Sequence, residues 1–338
     1  VDVAARAGVS KSVVSRVLRD SPRVSETSRA AVLRAARELG YRPNAAARTL
    51  VRRRSHAVGI LVTDLHNLFL PEVAVGLDAV LEDAGYATFV VTGKHHQRTE
   101  EAALARLLEL RVDGIVCAPA RLGPGALRDA AIHTAIVSLT RTPRVPRIDS
   151  VVGDDHLGAT LVVEHLVRLG HRRIAMVGDT EERAGADRIR GYHDAMGTAG
   201  LAATARVLPG GFSEAGGYDA ATALLRERYA RRPTAAGDAR HPTAVFVASD
   251  LAALGVLDAA LGLGVRVPEE LSVVGYDNTP IAALRHISLS SVDQSAAGIG
   301  RSAGEALLTR IANPDRAARR VVIAPTLIAR ATSGPAPA

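Results

Sequence analysis

Lys11, Ser12, Ser15, Arg16 and Arg19 fall on one arc when the chain is wound at about 100° per residue, while Val13, Val14, Val17 and Leu18 fall on the other. One face of such a helix packs and the other is free to touch something. Short hydroxyls and long cations are what reading a DNA groove needs, because Arg or Lys donates to guanine edges and Ser bonds phosphates or bases. A solvated helix face shows the same pattern, so the distribution of charge has to decide. Residues 1–55 hold 13 Lys+Arg against 4 Asp+Glu, a net +9, and the rest of the chain holds 29 against 31, a net −2. All of the excess positive charge of this 338-residue chain sits in its first sixth, which favours a module that binds a polyanion. Lys occurs only at positions 11 and 94, so the dominance of Arg reflects base composition, and isolated surface arginines carry little weight.

A second set of polar residues follows short β-rich runs: Asp64, Thr92, Thr140, Asp154, Asp179, Asp250 and Asp277. Beyond the carboxyl ends of parallel strands such side chains converge on a ligand cleft. Asp after a strand is also a common cap or turn residue, and at least half of the seven are expected to be only that. The phosphate-binding G-x-x-x-x-G-K-[ST], the nucleophile G-x-S-x-G and the zinc H-E-x-x-H do not occur, and no G-x-G-x-x-G follows a strand, so nothing asks for catalysis. His95, His96 and His171 have no carboxylate or Cys beside them at ligand spacing, and a lone Cys117 forms no internal disulfide, so no metal or cofactor is called for.

The elements that must position these residues are of two kinds. Two short helices meet at Ala7-Gly8-Val9, where Gly8 can supply a positive φ, and Ser10 is a good N-cap for the second. A third helix runs from Ser25, with Glu26 in its first turn, to Leu39 before Gly40, and Val32, Leu33, Ala36 and Leu39 give it an apolar stripe. Asn44 can cap an Ala-rich helix of under two turns, too short to hold alone in water. Past Arg54 the spacing predicts strands over 58–63, 88–92, 114–118, 135–139, 150–153, 173–178, 244–248, 272–275 and 321–324. Amphipathic helices such as 72–84, 100–110, 160–169 and 215–228 fill the intervals. Alternation of this kind implies parallel sheets covered by helices, and so many strands suit two α/β subdomains better than one. The Arg, Pro, Ala and Gly stretch 231–241 reads as a surface loop. The expected class is α/β: an all-α helix-turn-helix headpiece over 1–43, a hinge helix and linker over 44–55, a core of two doubly wound subdomains over 56–330, and a flexible tail over 331–338.

Longer runs carry a resemblance. Asp2-Val3-Ala4, Ala7-Gly8-Val9-Ser10, Val14-Ser15-Arg16-Val17-Leu18, Val24-Ser25 and Leu39-Gly40-Tyr41-Arg42-Pro43-Asn44-Ala45-Ala46-Ala47-Arg48 are similar to the lactose/galactose repressor (LacI-type) family of bacterial transcription regulators. So are Val162-Val163-Glu164-His165-Leu166, Leu169-Gly170-His171-Arg172-Arg173-Ile174, Ser272-Val273-Val274-Gly275-Tyr276-Asp277 and Pro325-Thr326-Leu327. The resemblance implies that the helix from Lys11 is a recognition helix and that the segment from Asn44 is a hinge helix whose Leu50 wedges into the minor groove. DNA contacts then fall on Lys11, Ser12, Ser15, Arg16, Ser25, Ser28, Tyr41, Asn44, Ala47 and Leu50. It also implies a core similar to periplasmic sugar-binding proteins, with effector contacts at Asn67, Phe69, Arg188, Phe212, Asp277 and Gln294: Phe212 as a stacking aromatic, Asp277 as an acceptor for ligand hydroxyls and Arg188 as a donor. The chain departs from sugar-responsive relatives at Ala186, where they often carry Arg, at Thr140, where many have Asp, and at Ser249, where Asn is usual.

The expectation is a cytoplasmic, nucleoid-associated homodimer that binds a palindromic DNA operator as a repressor and answers to a small-molecule effector, carbohydrate-like in the first instance. The alternatives are a nucleobase- or nucleoside-type corepressor, a solute-binding protein, or an α/β enzyme with a basic appendage. No run of about 18 apolar residues exists to span a membrane.

Overall fold

A computed structural model of the chain describes residues 2–18, 21–41, 54–63, 65–66, 68–94, 96–118, 121–139, 141–178, 183–229 and 241–337. It divides into two compact units, Val1–Ser55 and His56–Ala338.

The first unit is three helices: α1 (Asp2–Ala7), α2 (Lys11–Val17) and α3 (Glu26–Glu38). Gly8, at φ +63°, makes the turn between α1 and α2, closed by the Val9 N–H donating to the Ala4 carbonyl at 3.1 Å. Ser10 and Ser25 cap α2 and α3 by accepting from the Val13 and Ser28 N–H groups, each at 3.3 Å. Such caps are worth about 1 kcal/mol each, a large share of the stability of so small a unit. Val3, Ala4, Val14, Val17, Val32, Ala35 and Ala36 form the core. The stripe expected on α3 is narrower than its sequence suggests, since Leu33 and Leu39 are 41% and 46% exposed. Alanines at 35 and 36 let α3 approach the other two helices closely, and the larger leucines lie outside that contact.

The second unit holds two six-stranded sheets. The first has the order β11-β5-β4-β3-β1-β2, from β1 (Ala57–Val62), β2 (Ala87–Thr92), β3 (Gly114–Cys117), β4 (Ala135–Leu139), β5 (Ile148–Gly153) and β11 (Arg320–Ile323), all parallel. Helices α4 (Phe69–Asp83) and α11 (Ala296–Ala312) cover one face with Val73, Leu77, Ile299 and Leu307, and α5 (Gln97–Glu109) and α6 (Pro124–His133) cover the other with Leu104, Leu107 and Leu127. The second sheet has the order β12-β10-β9-β8-β6-β7, from β6 (Ile174–Val177), β7 (Arg206–Leu208), β8 (Ala244–Val247), β9 (Ser272–Tyr276), β10 (Ser290–Asp293) and β12 (Thr326–Ile328), parallel except for β12. It lies between α7 (Asp155–Arg168) with α8 (Arg183–Thr198) and α9 (Glu214–Tyr229) with α10 (Asp250–Gly262). Central strands β1, β3, β6 and β8 are buried on both faces, which is why they read as unbroken apolar runs instead of alternating ones.

The chain passes between the sheets at 153–155, 293–296 and 323–326. At the second passage α11 returns to the first sheet and lies backbone to backbone against α4: a Cβ on Gly76 would fall 2.1 Å from the Ala297 carbonyl oxygen, and one on Gly300 would fall 2.0 Å from that of Val73. Only glycine fits at either point.

Three strands lie outside the sequence-based assignment. β7 and β12 are three-residue edge strands. β10 reads Ser-Ser-Val-Asp, and its buried hydroxyls are bonded: Ser290 donates to the Arg330 carbonyl and Ser291 to the Asp250 carboxylate. The tail expected to be flexible from residue 331 is instead held along 332–336. The Thr332 hydroxyl donates to the Val273 carbonyl at 2.7 Å, the Ala336 N–H donates to the Leu169 carbonyl at 2.8 Å, and Gly334 meets a buried cluster. There, neutral His171 donates from Nε2 to the Gly334 carbonyl at 3.0 Å and accepts the Thr243 hydroxyl on Nδ1 at 2.9 Å. A Pro/Gly composition signals irregular backbone, and irregular backbone can be anchored as firmly as a strand.

Candidate functional site

Two sites grow from these elements, one in each unit. On α2, Lys11, Ser12 and Arg16 are exposed and Ser15 half-buried, whereas Val14 and Val17 point into the core. The expected division of this helix into a packing and a presenting face is therefore present, with Val13 and Leu18 half-buried at its margins. Ser25 is occupied as the cap of α3 and donates its hydroxyl proton to Ser28 at 3.0 Å; Tyr41 is 44% exposed. Arg29, which sequence reasoning did not single out, donates to the Ser21 carbonyl at 2.7 Å and pins the turn that follows α2. Asn44, Ala47, Leu50 and Arg19 lie outside the described residues.

In the core, three neighbouring parallel strands of the second sheet, β8, β9 and β10, end side by side and release Ser249, Asp277 and Gln294. Gln294 donates from Nε2 to Asp277 Oδ1 at 2.6 Å, and so holds the carboxyl instead of capping α11, whose cap position is Ser295. Asp277 sits at φ +108°, a conformation side chains rarely adopt, with its N–H donating to the Val292 carbonyl at 2.9 Å. Backbone strain of this kind persists where the surroundings over-determine it, and it clusters at ligand sites.

Arg188 enters from α8. Its Nε donates to Asp155 Oδ1 at 2.8 Å, Nη1 donates to the Ala248 carbonyl, and Nη2 lies 3.8 Å from Asp277 Oδ1. Its guanidinium lies 3.6 Å from the centre of the Tyr276 ring and 5.7 Å from that of Phe212. Ser249 caps α10 and donates its hydroxyl to the Phe212 carbonyl at 3.1 Å, fixing the backbone that carries the ring. Arg188, Asp277, Gln294 and Phe212 are thus brought together. Phe69 is buried in the core of the first sheet, at the start of α4. Asn67, Asp64, His95, Thr140 and Asp179 lie outside the described residues, as do residues 231–240 of the expected surface loop.

Of the other carboxylates expected after strands, Asp154 caps α7 through the Leu157 N–H and Asp250 is consumed by Thr279 and Ser291. The member of the site that sequence reasoning missed is Asp155, adjacent to that cap. A cap residue announces itself by type, and the residue after it does not; the usable signal was a second acidic residue at the first helical position, aimed at a buried Arg two elements away. Tyr276 was hidden likewise, as one more apolar position of a buried strand. Its place is tightly set, since a Cβ on Gly158 would fall 2.1 Å from the Tyr276 hydroxyl.

Burial dominates the electrostatics. It pushes the Asp277 carboxyl up to about 8, against the pull of Arg188 and with the push of the nearby Asp250. Asp155 is also raised by burial, opposed by Arg188. Burial alone would favour loss of the Arg188 proton, but the Asp155 carboxylate outweighs it and keeps the guanidinium charged. A carboxyl poised near neutrality beside a fixed cation and an aromatic ring can accept or donate to ligand hydroxyls while the ring covers an apolar face. Among the described residues no group of His, Cys, Asp and Glu could hold a metal ion, and no helix is long and apolar enough to cross a membrane.

The match to known proteins falls on the same two units. Residues 1–44 match the family described as "Bacterial regulatory proteins, lacI family", and residues 163–333 match a "Periplasmic binding protein-like domain". The chain is 31% identical over 333 residues to the ribose operon repressor of Haemophilus influenzae, covering 97% of this chain and 96% of that protein. It is 30% identical over 335 residues to the transcriptional repressor PurR of Aliivibrio fischeri, covering 98% and 97%. Among solved structures, the lac repressor dimer bound to operator and the anti-inducer ONPF is similar with a TM-score of 0.85 and 27% identity, over 98% of each chain. The regulator CelR in complex with cellobiose is similar with a TM-score of 0.71 and 30% identity, again over 98% of each.

Proposed function

For a chain that belongs to the lacI family of bacterial regulatory proteins, and is thus a DNA-binding transcriptional regulator with an effector-binding core and not an enzyme, we propose the following division of labour. The chain represses from a palindromic operator as a cytoplasmic homodimer, with Lys11, Ser12, Ser15 and Arg16 reading the major groove and Ser25, Ser28 and Tyr41 steadying the headpiece on phosphates. Two headpieces joined in one dimer gain affinity from linkage that neither has alone. Asn44, Ala47 and Leu50 belong to a hinge that folds on DNA and wedges the minor groove.

The effector is a sugar or sugar derivative held at the end of the second sheet. The observation that carries this reading is the Gln294-held carboxyl of Asp277, buried beside Arg188 and Phe212. An acceptor, a donor and a ring edge at one point suit vicinal hydroxyls on an apolar ring face. The flat Phe212 ring gives a second reading some support, a nucleobase stacked on it with Asp277 bonded to a ring N–H.

Selection of operator DNA from a randomised palindromic pool, followed by fluorescence anisotropy with D-ribose, cellobiose and hypoxanthine as probes, tests both halves. A selected palindrome whose affinity shifts with a sugar supports the proposal. Failure to enrich any palindrome overturns the DNA half, and a response to hypoxanthine alone replaces the sugar by the base.

A further inference from the structure

We propose that Asp155 is a specificity-determining residue: by occupying Arg188 it closes the effector cleft to phosphorylated and other anionic ligands and reserves it for neutral, hydroxyl-rich ones. The inference rests on the reading of this cleft as the effector site.

The argument is one of charge and of free donors. Arg188 is 5% exposed and would otherwise be the natural anchor for a phosphate or carboxylate, because its planar fork matches such groups with two parallel hydrogen bonds. Here the fork is partly spent, with two of its three nitrogens hydrogen-bonded and the third facing a carboxyl. Nε is turned to Asp155 at 2.8 Å, Nη1 to the Ala248 carbonyl, and Nη2 toward Asp277 at 3.8 Å. One face of the guanidinium is covered by Tyr276 at 3.6 Å. The charges facing Arg188 come from α7 (Asp155) and the end of β9 (Asp277), while Asp250 on α10 is bonded to Thr279 and Ser291. With Asp277 protonated, Arg188, Asp155 and Asp277 sum to zero; with it ionised they sum to −1. At neither protonation state is this group positive.

An anion entering the cleft is stripped of water and meets no uncommitted counter-charge among these groups, and it lies near one or two carboxylates. A neutral polyol meets no such penalty. It needs only an acceptor and a partly committed donor, which Asp277 and Arg188 provide. Asp155 is placed to act this way by the sequence Gly153-Asp154-Asp155: the first Asp caps α7, and the second, 9% exposed, sits at the first helical position facing α8.

Isothermal titration of the full chain with matched pairs, D-ribose and D-ribose 5-phosphate, D-glucose and D-glucose 6-phosphate, tests the proposal. For whichever neutral sugar binds, the wild type is expected to prefer it over its phosphate ester by at least about 100-fold, since unbalanced charge in a desolvated site is heavily penalised. Asp155→Asn, which keeps shape and removes the charge, should narrow that ratio at least about tenfold by freeing Arg188, while Asp155→Glu should retain most of it. An ester that binds the wild type as tightly as its parent sugar would overturn the inference and leave the effector site standing. A ratio unchanged in folded Asp155→Asn takes the discrimination away from Asp155. Binding that survives Asp277→Asn at full strength overturns the reading of the cleft itself, and the inference with it. The wild-type ratio requires no variant, so a misfolded Asp155→Asn leaves the test intact.

Discussion

Asp277 couples ligand chemistry to pH in a direction that can be worked out in advance. Its carboxyl titrates near 3.8 when free and is pushed up to about 8 in the folded protein, first by burial. The folded chain therefore holds a proton that the unfolded chain has already lost between about pH 4 and 8. Stability from this group is fully present below the free value and is lost as pH rises through the folded one, with a slope of up to about 1.4 kcal/mol per pH unit. Ligand hydroxyls that donate to Asp277 favour its ionised form, so effector binding should expel the proton. Affinity should then rise with pH, by up to about tenfold per unit below 8, and level off above it. Asp277→Asn abolishes both slopes, and it lowers affinity at pH 8.5 by about 10- to 150-fold, the value of a hydrogen bond to a charged group. Calorimetry in buffers of different ionisation enthalpy counts the released proton directly, and thermal denaturation from pH 5 to 9 reads the stability slope. Binding with no proton release and no pH dependence between 6 and 9 would refute the assignment of Asp277 as the acceptor.

Arg16→Ala, which removes an exposed cation from the presenting face of α2, should cost about 1–3 kcal/mol on the operator and flatten discrimination against mutated sites; equal losses on operator and random DNA in an anisotropy titration would reduce Arg16 to a phosphate contact. Gly158→Ala should displace the Tyr276 ring, loosen Arg188 and weaken effector binding while leaving operator affinity intact, because its Cβ has no room beside the Tyr276 hydroxyl; unchanged calorimetric affinity would count against the stacked Arg188 as part of the site. His171→Ala should lower the unfolding free energy by about 1–3 kcal/mol, the cost of stripping the Thr243 hydroxyl of its His171 partner while Ser272 and Gly334 keep each other, and hydrogen exchange should show residues 332–336 opening more readily than in the wild type. Protection there equal to wild type would mean the tail is held by other bonds.

The sequence was most legible where one physical cause dominates. Ser10, Gly8 and Ser25 act locally, so the headpiece turn and both caps are where their residue types put them. The doubly wound core was visible because strands buried on both faces are short apolar runs that cannot be mistaken for alternation. What escaped notice depends on partners far away in the chain. The β10 strand is polar in sequence, and partners distant in the chain, Asp250, Asn278, Arg330 and Ser333, make its hydroxyls acceptable inside the sheet. Phe69 looked like a cleft residue by position, and the start of α4 also packs it into the core of the first sheet. Asp155 differs from its neighbour Asp154 by one helical step of about 100°, enough to exchange a cap for a buried ion pair.

The β11 strand sets an order of events during synthesis. It completes the first sheet by laying Arg320 beside Ser150, 170 residues earlier in the chain, and every strand from β6 to β10 is translated in between. At about 5–20 residues per second, β5 waits on the order of 10–30 s for its outer neighbour, and α4 waits longer still for α11. Through that interval Val73 and Leu77, buried in the finished protein, lack the helix that covers them. The second sheet can be largely assembled, short of its edge strand β12, before the first is closed. A nascent chain arrested near residue 295 would hold a nearly complete second sheet and an open first one, the form in which this protein is most exposed to aggregation and to chaperones.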